Sequence, residues 1–205
     1  MPSITRSKLE ETLKGLVPLA VACAVVLAGR ASLADHYVVP TGSMLPTVGE
    51  GDRLLVNKLA YGVRVPLTER WLARRAEPRP GEVVVLDSPE NAHVLLKRVA
   101  AGPGDLVEVR DGRITLNGRP AACDGERETL NGVTHRVDLS RGGGPAFGPE
   151  RVPAGMYLLM GDNRGNSHDS RGFGLVRREA ILGRAVAIYW HGGAPAWRPL
   201  GGVTP

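Results

Sequence analysis

Cysteines and metal-binding motifs are scarce in this chain of 205 residues. Cys23 lies within an apolar run, and neither it nor Cys123 belongs to a CxxC spacing. We therefore expect no disulfide between them and no cysteine-based metal site. The five histidines are scattered and form no HExxH motif. The sequence predicts neither a bound metal nor a cofactor.

Contiguous blocks of basic residues are missing as well, although the net charge is +5. A basic balance is compatible with nucleic acid or with an anionic membrane surface as the partner. The chain has no zinc finger and no RNA-binding motif that joins aromatic with basic residues. We therefore expect no nucleic-acid partner, whereas membrane lipid stays a candidate partner.

Aromatic residues make up only 4% of the chain, whereas it contains 27 glycines and 16 prolines. This composition is typical of many short strands joined by turns rather than of a helix bundle. Hydrophobic residues amount to 42%, which is enough for a packed core. The length fits one sizeable domain, or one domain with an insertion. We therefore predict a mainly β fold.

A single long apolar run occupies residues 13–34, and its centre, residues 15–29, is uncharged. It approaches the roughly 20 residues that a transmembrane helix needs. Basic residues precede it, so residues 1–12 would stay in the cytoplasm and the rest would lie outside. A cleavable signal peptide fits as well, because the run is short and Ser32-Leu33-Ala34 resembles a cleavage site. With either alternative, the remaining chain is exported.

Apolar runs and turn signals predict the order of the strands. Runs bounded by Gly, Pro and Asp indicate buried strands, and Asp111-Gly112 marks a hairpin. The predicted strands lie within residues 51–58, 82–86, 93–99, 106–116, 155–160 and 181–190.

The segments between these strands divide the chain into a main β domain and smaller parts. Residues 69–80 are charged and interrupted by prolines, which predicts a surface loop. Residues 121–149 are polar and glycine-rich and predict an insertion, and residues 193–205 predict a loose tail. The main β domain would then comprise residues 35–120 and 150–192.

The stretch VVPTGSMLPT, which ends at Thr47, holds Ser43 between two prolines. Pro40 and Pro46 exclude a helix and stiffen the chain, and Gly42 lets the backbone bend. Taken alone, the pattern is equally typical of a turn-rich linker. It becomes a candidate for a nucleophile only if a base elsewhere in the chain can remove the hydroxyl proton.

Two kinds of base are available, histidine and lysine. His168 and Asp169 would allow a Ser-His-Asp arrangement, but adjacent residues of an extended chain point in opposite directions. Lys97 follows three apolar residues, in a chain whose other cations beyond the apolar segment are arginines, Lys58 excepted. Burial lowers the pKa of a lysine, and a neutral amine can accept a proton, whereas arginine cannot. An edge-strand lysine that only prevents aggregation is the structural alternative.

A dense run of polar side chains, GDNRGNSHDSRGFG, occupies residues 161–174 directly after a predicted strand. Such a run can simply be a polar loop. Its density of hydrogen-bonding groups also suits the support of an active site. Ser167 could hold the Lys97 amine, while Asp162 and Asp169 could pair with Arg171 or Arg164.

Taken together, four stretches in this order resemble the bacterial type I signal peptidases, the membrane-anchored Ser/Lys proteases of family S26. They are PTGSMLPT around Ser43, GDRLLVNKLAYG at 51–62, KRVAAGPGD at 97–105 and GDNRGNSHDSRGFG at 161–174. The resemblance implies an all-β catalytic core with a small β insertion, preceded by one N-terminal transmembrane helix.

Residue by residue, the resemblance assigns roles to seven side chains. Ser43 matches the nucleophile, Lys97 the general base, and Ser167 the serine that orients the lysine amine. Thr41 matches the hydroxyl that would form the oxyanion hole with the Ser43 backbone N–H. The structural support behind the site would come from Asp162, Asp169 and Arg171. His168 falls at a position that the family does not use for catalysis.

The implied function is the removal of signal peptides from exported preproteins after Ala-x-Ala-like residues. The implied location is the bacterial cell membrane, with the catalytic domain on the outer side. A specialised peptidase for pilin or conjugation-type substrates is one alternative. A self-cleaving repressor would need a DNA-binding region in place of the apolar segment. A non-catalytic exported binding module is disfavoured by the joint presence of Ser43, Lys97 and Ser167.

Overall fold

The structure, a computed structural model, describes residues 16–18, 34–64 and 71–200. The predicted cytoplasmic segment 1–12, nearly all of the predicted transmembrane segment 13–34 and residues 201–205 lie outside this part of the chain. Among the described residues, no helix combines the length and the apolarity needed to cross a bilayer.

The described residues form a mainly β structure, as predicted, with one eight-stranded sheet at its centre. Its strands run in the order β1-β2-β16-β5-β6-β14-β15, and β17 pairs with β16. These strands are β1 (Ala34–Val38), β2 (Arg53–Asn57), β5 (Val83–Asp87), β6 (Val94–Ala101), β14 (Met156–Met160), β15 (Val176–Arg177), β16 (Ile181–His191) and β17 (Ala194–Pro199).

Smaller sheets of the described chain flank this one. The pair β3 (Gly62–Arg64) and β4 (Trp71–Arg74) forms a two-stranded sheet, and the remaining strands form a four-stranded and a three-stranded sheet. The four-stranded sheet contains β7 (Leu106–Arg110), β8 (Arg113–Leu116), β9 (Arg119–Pro120) and β13 (Phe147–Arg151). The three-stranded sheet contains β10 (Ala122–Asp124), β11 (Arg127–Leu130) and β12 (Val133–Arg136).

Apart from residues 16–18, which are helical, the helical structure within the described ranges consists of short turns between the strands. One α-helix, α1 (Ser170–Phe173), follows β14, and Asp169 caps its N-terminus. The turns with 3₁₀ geometry are Gly42–Met44, Lys58–Ala60, Arg164–Asn166 and Arg178–Ala180.

The centre of the main sheet forms where the sequence is most continuously apolar. Val83, Val84, Val85 and Leu86 of β5 are all buried, because Val83 and Val85 pack into one apolar cluster and Val84 and Leu86 pack into another. A strand that is covered on both faces has an unbroken apolar sequence rather than an alternation of apolar and polar residues. The predicted hairpin forms at Asp111-Gly112, where both residues have positive φ.

Two segments differ from their prediction. Within the predicted surface loop 69–80, Trp71–Arg74 forms β4, which pairs with β3. The Trp71 ring packs under the guanidinium of Arg178, 4.5 Å away, and this contact draws the segment onto the main domain. Within the predicted loose tail, Ala194–Pro199 forms β17, which pairs with β16 and is followed by the buried Leu200.

Candidate active site

Ser43 lies in the 3₁₀ turn Gly42–Met44 that follows β1, with Thr41 extended before it. The turn is anchored from within, since Met44 is buried and its carbonyl accepts the Val48 N–H at 2.9 Å. It is also held from outside by Asn163, whose backbone N–H donates to Ser43 O and whose side-chain Nδ2 donates to Gly42 O, both at 3.1 Å. The backbone that presents the Ser43 hydroxyl is therefore fixed on both sides.

Lys97 lies on β6, which is an interior strand of the main sheet rather than an edge. Its neighbour across the ladder is Val84 of β5, and only 3% of the residue is exposed. Its Nζ lies 2.8 Å from Ser43 Oγ, within hydrogen-bond distance. The two residues are 54 positions apart in sequence, so it is the sheet that brings them together.

Burial lowers the pKa of Lys97 from 10.5 to about 8, because the charged amine loses its hydration. The carboxylates of Asp169 and Asp162 oppose this effect and raise the pKa, while the guanidinium of Arg171 lowers it further. About a tenth of the amine is therefore neutral at pH 7, and about half at pH 8. A neutral amine in this position can accept the proton of the serine hydroxyl.

Both of these carboxylates are paired with an arginine of their own. Asp169 accepts two hydrogen bonds from the Arg171 guanidinium, at 2.8 and 2.7 Å, and one each from the backbone N–H groups of Arg171 and Gly161, at 3.2 and 3.0 Å. Asp162 accepts two from Arg98, also at 2.8 and 2.7 Å, and one from the Thr47 hydroxyl. In both cases these charge-assisted contacts outweigh the desolvation of the carboxylate, and its pKa is lowered.

Ser167 and Thr41 are placed less tightly than the Ser43–Lys97 pair. The Ser167 Oγ is buried next to Gly161 but makes no hydrogen bond within the described chain, either to Lys97 or to another group. Thr41 is exposed and lines the cleft beside Ser43.

The cleft at Ser43 has an apolar arm and a polar arm. The apolar arm is a cavity of about 520 Å³. Its lining comes mostly from apolar side chains of residues 37–44 and 93–97, together with Leu54 and Val85. The polar arm encloses about 380 Å³ and is lined by polar groups that include Glu50, Glu90, Asn91, Asn166 and His168. Ser43 and Lys97 line both arms, so an extended chain that crosses the serine would occupy one arm on each side.

His168 lies at the rim of the polar arm and not against the serine. Its Nε2 contacts Glu90 Oε2 at 2.7 Å, and its ring packs edge-on against Phe173. Both members of the His168–Glu90 pair are largely exposed. The alternative in which His168 acts as the base for Ser43 has no contact in its favour.

Sequence analysis missed several residues that hold the site. Arg98 is the partner of Asp162, and it gives no signal in sequence because a charged residue on a strand usually faces solvent. Arg164 does not pair with either aspartate. It forms a buried ion pair with Glu128 of β11, at 2.5 Å.

Comparisons with known proteins show which proteins this chain is similar to. Residues 12–190 match the family described as signal peptidase, peptidase S26. A signal peptidase I from Pseudomonas fluorescens is 35% identical over 192 residues, which is 80% of this chain and 68% of that protein. One from Leptolyngbya laminosa is 33% identical over 92% of this chain and 85% of that protein. The crystal structure of a signal peptidase I from Enterococcus faecalis is 26% identical, with a TM-score of 0.39, and covers 53% of this chain and 97% of that one.

Proposed function

The chain belongs to the signal peptidase family, peptidase S26, and we propose on this premise that Ser43 and Lys97 are its nucleophile and general base. Like the relatives named signal peptidase I, it is a serine peptidase that removes signal peptides. The main support for the proposed dyad is the distance of 2.8 Å between Lys97 Nζ and Ser43 Oγ. The lysine is also buried.

The reaction begins when the neutral Lys97 amine takes the Ser43 proton and Oγ attacks the carbonyl carbon of the scissile bond. The Thr41 hydroxyl and the Ser43 backbone N–H stabilise the resulting oxyanion. One such donor contributes roughly 3 kcal/mol to the stability of the transition state. Protonated Lys97 then donates its proton to the leaving amine, which leaves an ester between Ser43 and the signal peptide.

Hydrolysis of this ester repeats the same proton transfers. Lys97, neutral again, takes a proton from water as the water oxygen attacks the ester carbonyl, and it returns that proton to Ser43 Oγ as the ester bond breaks. Ser167 would orient the amine between these steps, since its buried hydroxyl is unpaired and lies next to Gly161, as does the Ser43 carbonyl oxygen. Asp162, Asp169 and Arg171 would keep the supporting loop in place.

The two arms of the cleft suggest how a preprotein lies across the serine. Signal peptide residues before the scissile bond are apolar and small, of the Ala-x-Ala type, and suit the apolar arm. The mature part of the preprotein would then leave over the polar arm. An extended substrate that pairs with a strand edge would present alternate side chains to the apolar arm.

A membrane anchor would place this site close to its substrates. The signal peptide is held in the bilayer, so an enzyme tethered in the same plane meets it at a raised effective concentration. Residues 13–34 would supply the anchor, with residues 1–12 in the cytoplasm and the catalytic domain on the outer side of the bacterial plasma membrane. The preprotein and membrane lipid are then the partners of this chain.

The proposal is tested with the full chain in detergent micelles and a preprotein substrate. Ser43→Ala, Lys97→Ala and Lys97→Arg should each lower cleavage by at least three orders of magnitude, since the arginine keeps the charge but cannot deprotonate. Lys58→Ala is the matched control, because it removes a lysine that pairs with Asp35 on another part of the domain. Substantial cleavage by Lys97→Arg would exclude Lys97 as the base.

A specialised peptidase with pilin or conjugation-type substrates would have the same dyad. It is distinguished by a panel of preproteins, of which it would cleave only a few.

A further inference from the structure

The glycine-rich segment between β12 and β13 has no part in the reaction described above, yet it lies against the loop that supports the site. We name residues 138–144 (DLSRGGG) the brace and residues 161–171 the catalytic loop. The brace belongs to the region that sequence analysis treated as a polar insertion of open role.

Backbone hydrogen bonds connect the brace to the nucleophile through the catalytic loop. The Asp138 N–H donates to Asp162 O at 2.8 Å, and the Arg164 N–H donates to Asp138 O at 2.9 Å. Between these two, Asn163 forms a parallel bridge with Asp138 and donates its own N–H to Ser43 O. The three segments are therefore stacked in the order brace, catalytic loop, nucleophile turn.

The brace also holds the arginine that neutralises Asp169. Arg171 Nη1 donates to Gly143 O at 2.5 Å, while its Nε and Nη2 donate to the Asp169 carboxylate. The guanidinium is thus fixed by the brace on one side and by Asp169 on the other. Arg171 Nη2 additionally donates to Arg164 O at 2.8 Å, within the catalytic loop.

Gly144 of the brace is required by this close approach. A Cβ on Gly144 would lie 2.5 Å from Arg164 O and 2.7 Å from Arg171 Nη1, so one of these groups would have to move. From the opposite side, a Cβ on Gly165 would overlap Arg141 O. Gly142 is different, since a Cβ there would meet nothing within 4 Å.

We propose that the brace, residues 138–144, is a positioning element for the Ser43–Lys97 dyad, acting through Arg171 and the backbone of Asn163. This inference rests on the proposed function of the dyad. It assigns no contact with substrate to the brace. The brace sets where the guanidinium of Arg171 lies relative to Asp169, and where the carbonyl of Ser43 is held.

The pH dependence of cleavage shows whether the Arg171 guanidinium keeps its position beside Asp169. The charged groups that act on the Lys97 amine are Asp169 and Asp162, which raise its pKa, and Arg171, which lowers it. Arg98 lies beyond Asp162 and pairs with it. If Arg171 is displaced from Asp169, the aspartate acts on the lysine with less compensation. The pKa of Lys97 then rises, and the acid limb of kcat/KM moves to higher pH.

The decisive experiment compares Gly144→Ala with Gly142→Ala in the full-length enzyme. Both glycines have positive φ, +71° and +82°, so the backbone strain of an alanine is matched and only the available space differs. We expect Gly144→Ala to lose roughly tenfold in kcat with little change in KM, since sub-ångström misplacement of reacting groups is costly. Its acid limb should shift upward in pH, whereas Gly142→Ala should stay within about twofold of wild type.

The controls separate misfolding from misplacement. Each variant is assayed well below its own midpoint of thermal unfolding. If Gly144→Ala does not fold, Gly165→Ala is used instead. It crowds the contact between the catalytic loop and the brace, and Gly165 does not have a positive φ. Equal kcat and an unshifted acid limb in the crowded variant would overturn the proposal. Full activity of Lys97→Ala would instead overturn the dyad, so the two failures are distinguishable.

Discussion

Replacing Lys97 by methionine should stabilise the protein at neutral pH while abolishing its activity. The two side chains have similar length, but only lysine brings a charge into the sheet. The pKa of Lys97 falls from 10.5 to about 8 on folding. This difference corresponds to a cost of ~3 kcal/mol for folding with the amine charged. Methionine loses the contact with Ser43 Oγ, which offsets about 1 kcal/mol of the gain.

The size of this stabilisation depends on pH. Below about pH 8 the amine is protonated in both the folded and the unfolded chain, so the full cost is present. As the pH rises from 8 towards 10.5, the folded chain releases the proton first and the cost disappears. The methionine variant should therefore be more stable than wild type by ~2 kcal/mol at pH 7, and about equal to it near pH 10.

Urea unfolding followed by tryptophan fluorescence measures this difference at the two pH values. The comparison of wild type with variant cancels the titration of every other group. Lys58→Met is the matched control, since Lys58 forms its ion pair with Asp35 outside the site. Its stability difference should change little with pH. A Lys97→Met difference that stays constant from pH 7 to 10 would show that the lysine is not desolvated, and the proposed base would lose its physical support.

Two further predictions concern the reaction. The kcat/KM of wild type should rise about tenfold between pH 7 and 9 and then level off, because Lys97 passes through its pKa of about 8; a hundredfold rise without a plateau would indicate a lysine of ordinary pKa. His168→Ala should retain at least about half of the wild-type kcat, because His168 contacts Glu90 at the rim and not Ser43; a loss of several orders of magnitude would restore histidine as the base.

The sequence predicted the strands that are buried on both faces and the turns that glycine marks. The run that becomes β5 is apolar up to Asp87, the run that becomes β6 is apolar apart from Lys97 and Arg98, and the hairpin at Asp111-Gly112 has its own turn signal. Strands β4 and β17 were not predicted. Both are mostly exposed, so neither shows an apolar run or an alternating pattern, and each forms because a neighbour offers a free ladder edge.

The sequence pointed to the residue types proposed for the reaction, but not to the buried ion pairs that surround them. Lys97 could be singled out because a lysine in an apolar run is an unusual local pattern, and Ser43 because its stretch resembles one family together with three others in the same order. Arg98 and Glu128 could not. A buried ion pair depends on partners that are distant in sequence, 64 residues apart for Arg98 and Asp162. Local patterns carry no information about such pairs, and charged residues are rarely buried.

These buried arginines explain how a lysine surrounded by carboxylates can still be a base. Asp162 and Asp169 both raise the pKa of Lys97, and two unpaired carboxylates would hold the amine protonated. Each is instead neutralised by two hydrogen bonds from a guanidinium, Arg98 for one and Arg171 for the other. The nearby charges therefore largely cancel, and desolvation becomes the dominant influence on the amine. Because arginine keeps its proton, the cancellation persists over the whole pH range in which Lys97 titrates.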